Sequence, residues 1–424
     1  MIEVLPVTDQ IIRVTFDEGY IDKHGYLEPS HKDSTFQWPL DISMAMSIKN
    51  YFIESDDDPN YNSPVNPEKL GRKSKGQDFS KKCVKWEDEP WPSAACKNDY
   101  IPYHYFYLFL PEKMQEGNTY TISVPDLSDL IKNWTFTYQL GVRSVAIHTN
   151  QLGYAPQAPE KYAYISYWLG NEGPLNLEAY SGNTFTIHQL NERGEPEEEV
   201  FSGKITKQKD LESDGPDTGL KNVSFKENFV GTDVFEADFS QLTTAGEYIL
   251  TVEGIGSSYP FRIHPNAYFE AYYHATRALY FERSTLARPE KYAGPYANPA
   301  WENRKVVYTS FRTMDLTDES GKNKKQEIFD KINWDFDVSS IRGWYHDAGD
   351  WDGYYTHFKV PRYLMMAYIL NPENFHDGDL DIPEAQEHNG YKGTRIPDIL
   401  DEAVWLVDYF KNNVGPTGGI FGSR

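Results

Sequence analysis

Cysteine is nearly missing: the 424 residues hold two, Cys83 and Cys96. No His or Cys pair at ligand spacing lies beside them, which excludes a zinc site built there. They stand 13 positions apart in a stretch rich in Lys, Trp and Pro. A local disulfide in an exported protein and two free thiols both stay open. Long apolar runs are missing too. No segment approaches the roughly 20 apolar residues that span a bilayer, so no membrane span is expected. The N-terminus, MIEVLPVTDQ, lacks a basic start and an apolar core, so the chain as given begins without a signal peptide. Bases are in deficit: 41 Lys and Arg face 64 Asp and Glu, a net charge of -23. That field repels phosphate backbones, which excludes nucleic acid as a partner and favours neutral or cationic ligands.

What is there is enough chain for several cores, since single cores stop growing near 250–300 residues. Aromatic residues make up 15%, a share that invites the question of what they bind. Residues 1–142 read as an N-terminal β-sandwich, with the strand signals 11–16, 103–110 and 120–124. The acidic stretch 54–67 and the Lys-rich stretch 69–85 read as exposed loops. Residues 143–264 read as an immunoglobulin-like sandwich, with candidate strands at 162–169, 184–190, 234–239 and 247–252 and no helix between them.

From residue 265 the period changes. Phe269, Tyr272, Tyr273, Thr276, Leu279 and Tyr280 fall on one face of a helix. Residues 361–370 are apolar almost all round, which predicts a helix buried on most sides. A third helix starts at Pro397, sets Asp398, Asp401 and Glu402 near its positive end, and stops at Gly415-Pro416. Its apolar stripe is Ile399, Ala403, Leu406, Val407, Phe410 and Val414. Three helices with broad apolar faces lead to the expectation that 265–424 is the opening portion of a larger helical domain.

The segment with chemistry runs Gly343-Trp344-Tyr345-His346-Asp347-Ala348-Gly349-Asp350-Trp351-Asp352-Gly353-Tyr354-Tyr355. Asp347 and Asp350 are separated by two small residues, so both carboxylates can face one side of a turn that a ligand approaches closely. Trp344, Tyr345, Trp351 and Tyr354 add flat faces on which the C–H side of a sugar ring stacks, while its hydroxyls bond to carboxylates. Inverting glycoside hydrolysis sets its base and its acid about 6.5–9.5 Å apart, too far for two Asp residues three apart. Both therefore belong on the water side, one taking the proton and one orienting the water. The same residues would also serve a helix cap or surface turn.

An EF-hand fit fails, because it places Ala348 first and Lys359 twelfth. A second acidic run, Asp377, Asp379, Asp381 and Glu384, has the spacing of a structural calcium loop, with Ile382 where the turn glycine belongs and His388 where the bidentate Glu belongs. His346 and His357 fit either a hydrogen bond to substrate or a structural role.

Trp344 through Asp350 resembles the Trp-x-Asp-Ala-Gly-Asp signature of glycoside hydrolase family 9, the cellulase-type inverting enzymes, with His346 as an extra residue. Ile396-Pro397-Asp398-Ile399-Leu400-Asp401-Glu402-Ala403 resembles the family's helix after the signature. Asn150-Gln151-Leu152-Gly153-Tyr154, and 245–248 through 258–261, resemble the first and last strands of the immunoglobulin-like domain that precedes many such barrels. The resemblance covers about 144 to the end.

It implies two all-β sandwiches, the second immunoglobulin-like, followed by the beginning of an all-α (α/α)6-barrel. It makes Asp350 the general base, Asp347 its partner in holding water, and Trp344, Tyr345, Trp351 and Tyr354 the lining of the sugar subsites. The family's general acid is a Glu late in the barrel that no position here matches, so the chain alone is expected to be inactive. The implied partner is a polysaccharide or oligosaccharide, and the implied location is secreted or periplasmic, with cytoplasmic as the alternative. No cofactor is required, and a structural calcium stays open. Two other readings compete: a non-catalytic carbohydrate-binding or scaffold protein, and an exo-acting hydrolase of amino-sugar chains drawn to the negative charge.

Overall fold

A computed structural model describes residues 1–23, 33–84, 95–209, 230–283, 286–299, 345, 355–384 and 395–412. The chain forms two compact units, Met1–Tyr268 and Phe269–Arg424.

In the first unit, β1 (Glu3–Thr8) and β2 (Ile11–Asp17) make a hairpin that turns at Asp9 and Gln10. A small ribbon of β3 (Gly19–Asp22) and β4 (Ser34–Gln37) follows, then one helical turn, α1 (Ile42–Ala45), and β5 (Phe52–Glu54). The long pair β6 (Lys69–Val84) and β7 (Ala95–Phe109) precedes β8 (Thr119–Ser123) and β9 (Asn133–Thr137). One sheet has the order β1-β2-β7-β6 and the other β5-β8-β9. Val14, Phe16, Phe106 and Leu108 of the first share a core with Ile53, Tyr120 and Ile122 of the second.

β2 is buried on both faces. Its Ile11, and Tyr107 of β7, belong to the core of the following domain rather than to their own. A strand covered on both sides reads as a run and not as an alternation, which explains the irregular pattern at 11–16 and 103–110.

Two loop expectations are corrected. Residues 69–84 are not a loop but β6, the edge of the first sheet, paired with β7 over its whole length. Charged residues such as Lys69 and Lys75 guard an edge strand against pairing with other chains, and that composition imitates a loop. The register sets the Cα of Cys83 opposite that of Cys96. Residues 54–67 are irregular but not all solvent-facing. Tyr61 and Asp58 are buried, and Tyr120 donates its hydroxyl to Asp58 at 2.6 Å.

The second sandwich begins with β10 (Ile147–His148), β11 (Tyr162–Ile165) and β12 (Thr184–Leu190). It continues through β13 (Pro196–Lys204), β14 (Thr206–Lys209) and β15 (Val234–Asp238). β16 (Gly246–Val252), β17 (Gly256–Ser257) and β18 (Phe261–Ile263) complete it. Its sheets are β10-β11-β15-β14 and β13-β12-β16-β17, with β18 also on β16. Ile165 and Phe235 from one sheet meet Phe185, Leu250 and Phe261 from the other.

Asn150 to Gly153, read above as strand, is a turn. Leu152 N donates to the Asn150 side chain at 3.0 Å, and Gly153 has φ +92° with Arg262 O only 2.5 Å from where a Cβ would sit. Only glycine fits there. The two sandwiches are joined through polar as well as apolar contacts. The carboxylate of Asp9, buried at the β1–β2 turn, accepts from Tyr180 at 2.9 Å and from Lys113 at 2.8 Å, while Tyr107 meets Tyr167 edge-on at 5.8 Å.

The second unit holds α2 (Phe269–Glu282), the single turn α3 (Glu290–Ala293), α4 (Lys359–Leu370) and α5 (Asp398–Asn412). α5 is the most buried, with Ile399, Ala403, Leu406 and Phe410 enclosed as the stripe predicts; Val414 lies outside the described residues. α4 departs from expectation. It meets α5 along one side, where Phe358, its N-cap, stacks on Phe410 at 4.0 Å. Tyr363, Ile369 and Leu370 remain 61%, 72% and 80% exposed. An apolar helix is buried only where a neighbour covers it, and among the described residues only one side of α4 is covered in that way. Among the described residues no helix is long and apolar enough to cross a membrane.

Candidate active site

Of the six residues singled out for the site, Tyr345 alone is described; Trp344, Asp347, Asp350, Trp351 and Tyr354 lie outside the described residues, as does His346. His357 sits in the 3-10 turn Tyr355–Phe358 that leads into α4.

Tyr345 is buried with Trp405, Leu406 and Phe410. Its backbone forms an isolated antiparallel bridge with Arg283, just past the end of α2. Its hydroxyl donates to Glu402 Oε1 of α5 at 2.6 Å. Glu402 in turn accepts from the Arg283 guanidinium, at 2.9 Å to Oε2 and 3.4 Å to Oε1. The two charged side chains are 1% and 0% exposed. The guanidinium also lies over the rings of Trp405, at 4.9 Å, and Tyr280, at 5.4 Å, which compensates part of its lost hydration. Burial first, and then the Glu402 charge, push the Tyr345 phenol well above its ordinary pKa, against the opposing pull of Arg283. The phenol therefore stays protonated and serves as a donor. The sequence reading set Tyr345 among the aromatics that line a sugar; in the structure its ring is in the core and its hydroxyl is engaged by Glu402.

Arg283 was not singled out from the sequence, and Glu402 was read there only as an acid at the positive end of its helix, not as a buried charge. A signal for Glu402 existed: it falls between Ile399 and Leu406, three before and four after, on the face that carries the apolar stripe. A charge there is buried or breaks the stripe. Arg283 follows Tyr280 by three positions and extends the α2 stripe in the same way.

The acidic run is distributed among protein partners. The Asp398 carboxylate caps the turn before it, accepting from Gly378 N at 2.9 Å and Leu380 N at 2.7 Å. Burial raises its pKa and those two bonds oppose the rise. Asp379 accepts from His376 N at 2.6 Å, and Asp381, at φ +50°, accepts from Tyr273 at 3.1 Å. Among the described residues no three His, Cys, Asp or Glu side chains converge on a cation-sized position. Among the described residues, an aromatic cleft of about 450 Å³ is lined by Tyr273, Arg277, Phe281 and Tyr296.

Glu384 is pushed up to about 7, first by burial, then by its hydrogen bond with Asp377 and the charges of Asp377, Asp401 and Asp398. The folded chain thus holds this proton more tightly than the unfolded chain, whose Glu titrates near 4.5. The resulting stability is fully present below that value and is lost as pH rises toward about 7. Glu384→Gln keeps a hydrogen-bonding group and removes the titration. The urea midpoint of the wild type is expected to fall relative to that of Glu384→Gln across this window. A difference between the two that stays flat from about pH 4.5 to about pH 7 would contradict the assignment.

Residues 143–257 match the family model described as the cellulase N-terminal ig-like domain. The chain is 28% identical over 281 residues to the xyloglucan-specific endo-β-1,4-glucanase of Bacteroides ovatus, covering 65% of this chain and 38% of that protein. Endoglucanase D of Acetivibrio thermocellus is 28% identical over 205 residues, 47% of this chain and 28% of its own. A solved structure of a metagenome-derived glycoside hydrolase family 9 endoglucanase matches 65% of this chain and 42% of its own at 24% identity, with a TM-score of 0.44. The chain spans less than two fifths of the length of these two curated relatives.

Residues 143–257 thus carry the cellulase N-terminal ig-like domain, and the chain as a whole is similar to endoglucanases such as that of Bacteroides ovatus.

Proposed function

We propose that the natural polypeptide hydrolyses β-glycosidic bonds of a β-glucan with inversion at the anomeric carbon, and that α2, α4 and α5 belong to the start of an (α/α)6-barrel. Asp350 takes the proton from water, Asp347 orients that water, and a distant protonated Glu assists the leaving oxygen. The observation that carries this reading is the Asp347-Ala348-Gly349-Asp350 segment in a chain that aligns with endo-β-1,4-glucanases. Two like charges so close raise the proton affinity of one of them, which produces a base matched to weakly acidic or neutral water. The reaction draws on carboxyl groups and water and calls for no cofactor. A polysaccharide outside the cell is the natural substrate of such chemistry, which fits secretion.

The test is a time course with β-1,4-gluco-oligosaccharides and chitosan oligosaccharides, the product anomers being read by proton NMR. The gluco-oligosaccharide is expected to be cleaved with the α-anomer accumulating first. A β-anomer appearing first excludes inversion. Cleavage of chitosan alone moves the substrate to amino-sugar chains, and retention of glucan without product favours a binding or scaffold role.

A further inference from the structure

We propose that the first sandwich carries a separate acyl-transfer site, with Ser74 as nucleophile, His104 as its base and Glu18 as the acid that orients the base, and that this site hydrolyses uncharged O-acyl esters of sugars. It does not draw on the hydrolase reading above. Three neighbouring strands bring the residues together. Ser74 of β6 is the register partner of His104 of β7, His104 is in turn opposite Phe16 of β2, and Glu18 follows Phe16 by two positions. The Ser74 Oγ lies 2.7 Å from His104 Nδ1, and His104 Nε2 lies 3.0 Å from Glu18 Oε1. His104 is buried, while Ser74 is open to solvent. An ionised carboxylate can only accept, and Glu18 also accepts from Leu40 N at 2.9 Å. In the neutral ring the proton therefore sits on Nε2, and Nδ1 is left to accept from the Ser74 hydroxyl. Nucleophile, base and orienting acid thus follow one another at hydrogen-bonding distance, with the two ring nitrogens exchanged relative to the serine-protease order.

Acyl transfer also needs room for the ester and donors for its developing oxyanion. β6 is an edge strand. The N–H of Arg72 points away from β7, to the Asn171 side chain, and by the two-residue period of a strand the N–H groups of Ser74 and Gly76 point over the same free edge. The N–H of the nucleophile itself is a donor of the kind such an oxyanion uses. On the face that carries the Ser74 hydroxyl the next position is Gly76, where a Cβ would meet nothing within 4 Å. The pairing shifts directly after it, an irregularity of the sort that re-aims side chains beside active sites. The β3–β4 ribbon is tied to both strands: Ile21 N donates to Asp78 of β6 at 3.3 Å, and Gln37 Nε2 donates to Tyr100 O of β7 at 3.0 Å. It holds the exposed rings of Phe36 and Trp38 at 5.0 and 6.1 Å from that of Tyr20, and Trp38 N donates to Glu18 O at 2.8 Å. A row of rings that begins at the orienting acid suits the C–H faces of a neutral sugar, and the net charge of -23 disfavours anionic acyl groups. In the reaction, Ser74 Oγ attacks the ester carbonyl as its proton passes to His104 Nδ1, and the bond to the sugar oxygen breaks as that oxygen takes the proton. Water then attacks the acyl-Ser74 and gives its proton to Nδ1, and the proton returns to Oγ as the carboxylic acid leaves.

The test treats the whole chain with an alkyl fluorophosphonate, and follows acetate release from p-nitrophenyl acetate and from an acetylated gluco-oligosaccharide. Peptide mass mapping is expected to find the phosphonyl group on Ser74. Ser74→Ala is expected to abolish that labelling and to lower acetate release from both substrates by about 10²-fold or more. Glu18→Gln keeps the shape of the orienting group, removes its charge, and is expected to slow release by about 10²-fold as well. A wild type that neither labels at Ser74 nor releases acetate overturns the proposal and leaves the three residues as a structural link between β6, β7 and the end of β2. Acetate release undiminished in Ser74→Ala overturns it too, since another nucleophile would then be at work. Release from p-nitrophenyl acetate but not from the acetylated sugar overturns the assignment of the substrate. Should Ser74→Ala not fold, the site of labelling in the wild type decides by itself. A chain that cleaves no β-glycan yet labels at Ser74 and releases acetate from the acetylated sugar supports this site while the hydrolase reading fails.

Discussion

Glu402→Ala is expected to cost the helical unit about 3–5 kcal/mol, because it leaves the Arg283 guanidinium buried without its counter-charge. Both members of the pair are closed off from solvent, so neither dielectric screening nor rehydration softens the loss. The π-faces of Trp405 and Tyr280 remain under the guanidinium and offset only a part of it, about 1–2 kcal/mol for a desolvated contact. The Tyr345 hydroxyl is orphaned in the same step, at about 1–3 kcal/mol for a buried unsatisfied donor.

Combining Glu402→Ala with Arg283→Met removes the stranded charge and fills its volume. The double variant should therefore be more stable than Glu402→Ala alone, a non-additivity that neighbouring residues of one network show. Urea unfolding of the two variants checks both statements. A Glu402→Ala protein as stable as the wild type would mean that water reaches Arg283.

Much of this was legible in the sequence where a single physical rule governs a segment. Residues 184–187 alternate because one face of β12 is in the sandwich core and the other is not, and the strand covers the predicted 184–190, with an irregular register after Ile187. The stripe at 399, 403, 406 and 410 specifies the buried face of α5 for the same reason. Errors arose where two rules compete. β6 carries the lysines of a guarded edge, so its pairing over Lys69–Val84 was hidden behind loop-like composition. Asn150 to Gly153 lies among strands, yet the left-handed backbone at Gly153 makes it a turn.

For α4, burial could not be judged from hydropathy, since it depends on which neighbours are at hand. In the candidate site, chemistry was legible and the setting of its one described residue, Tyr345, was not. Asp347 and Asp350 announce themselves by residue type and spacing, and they lie outside the described residues. Glu402 was read as a complement to the helix dipole on account of its place in the first turns of α5. Only the three-dimensional arrangement brings it to Arg283 and Tyr345, because Arg283 is 119 positions away.

The central claim is that one carboxylate, Asp350, removes the proton from the attacking water. General-base catalysis by a positioned side chain contributes about 10²–10⁴-fold, and Asp350 in this role acts on water rather than on the sugar. Its loss should therefore be felt in kcat and hardly in KM. Asp347→Ala removes the group that orients the water but not the base, and should cost less than Asp350→Ala. The direct measurement is the turnover of a β-1,4-gluco-oligosaccharide by the natural polypeptide and its Asp350→Ala variant at matched substrate concentrations. The account predicts a fall in kcat of about 10²–10⁴-fold with KM nearly unchanged; an Asp350→Ala protein that turns over within a few-fold of the wild type would contradict it.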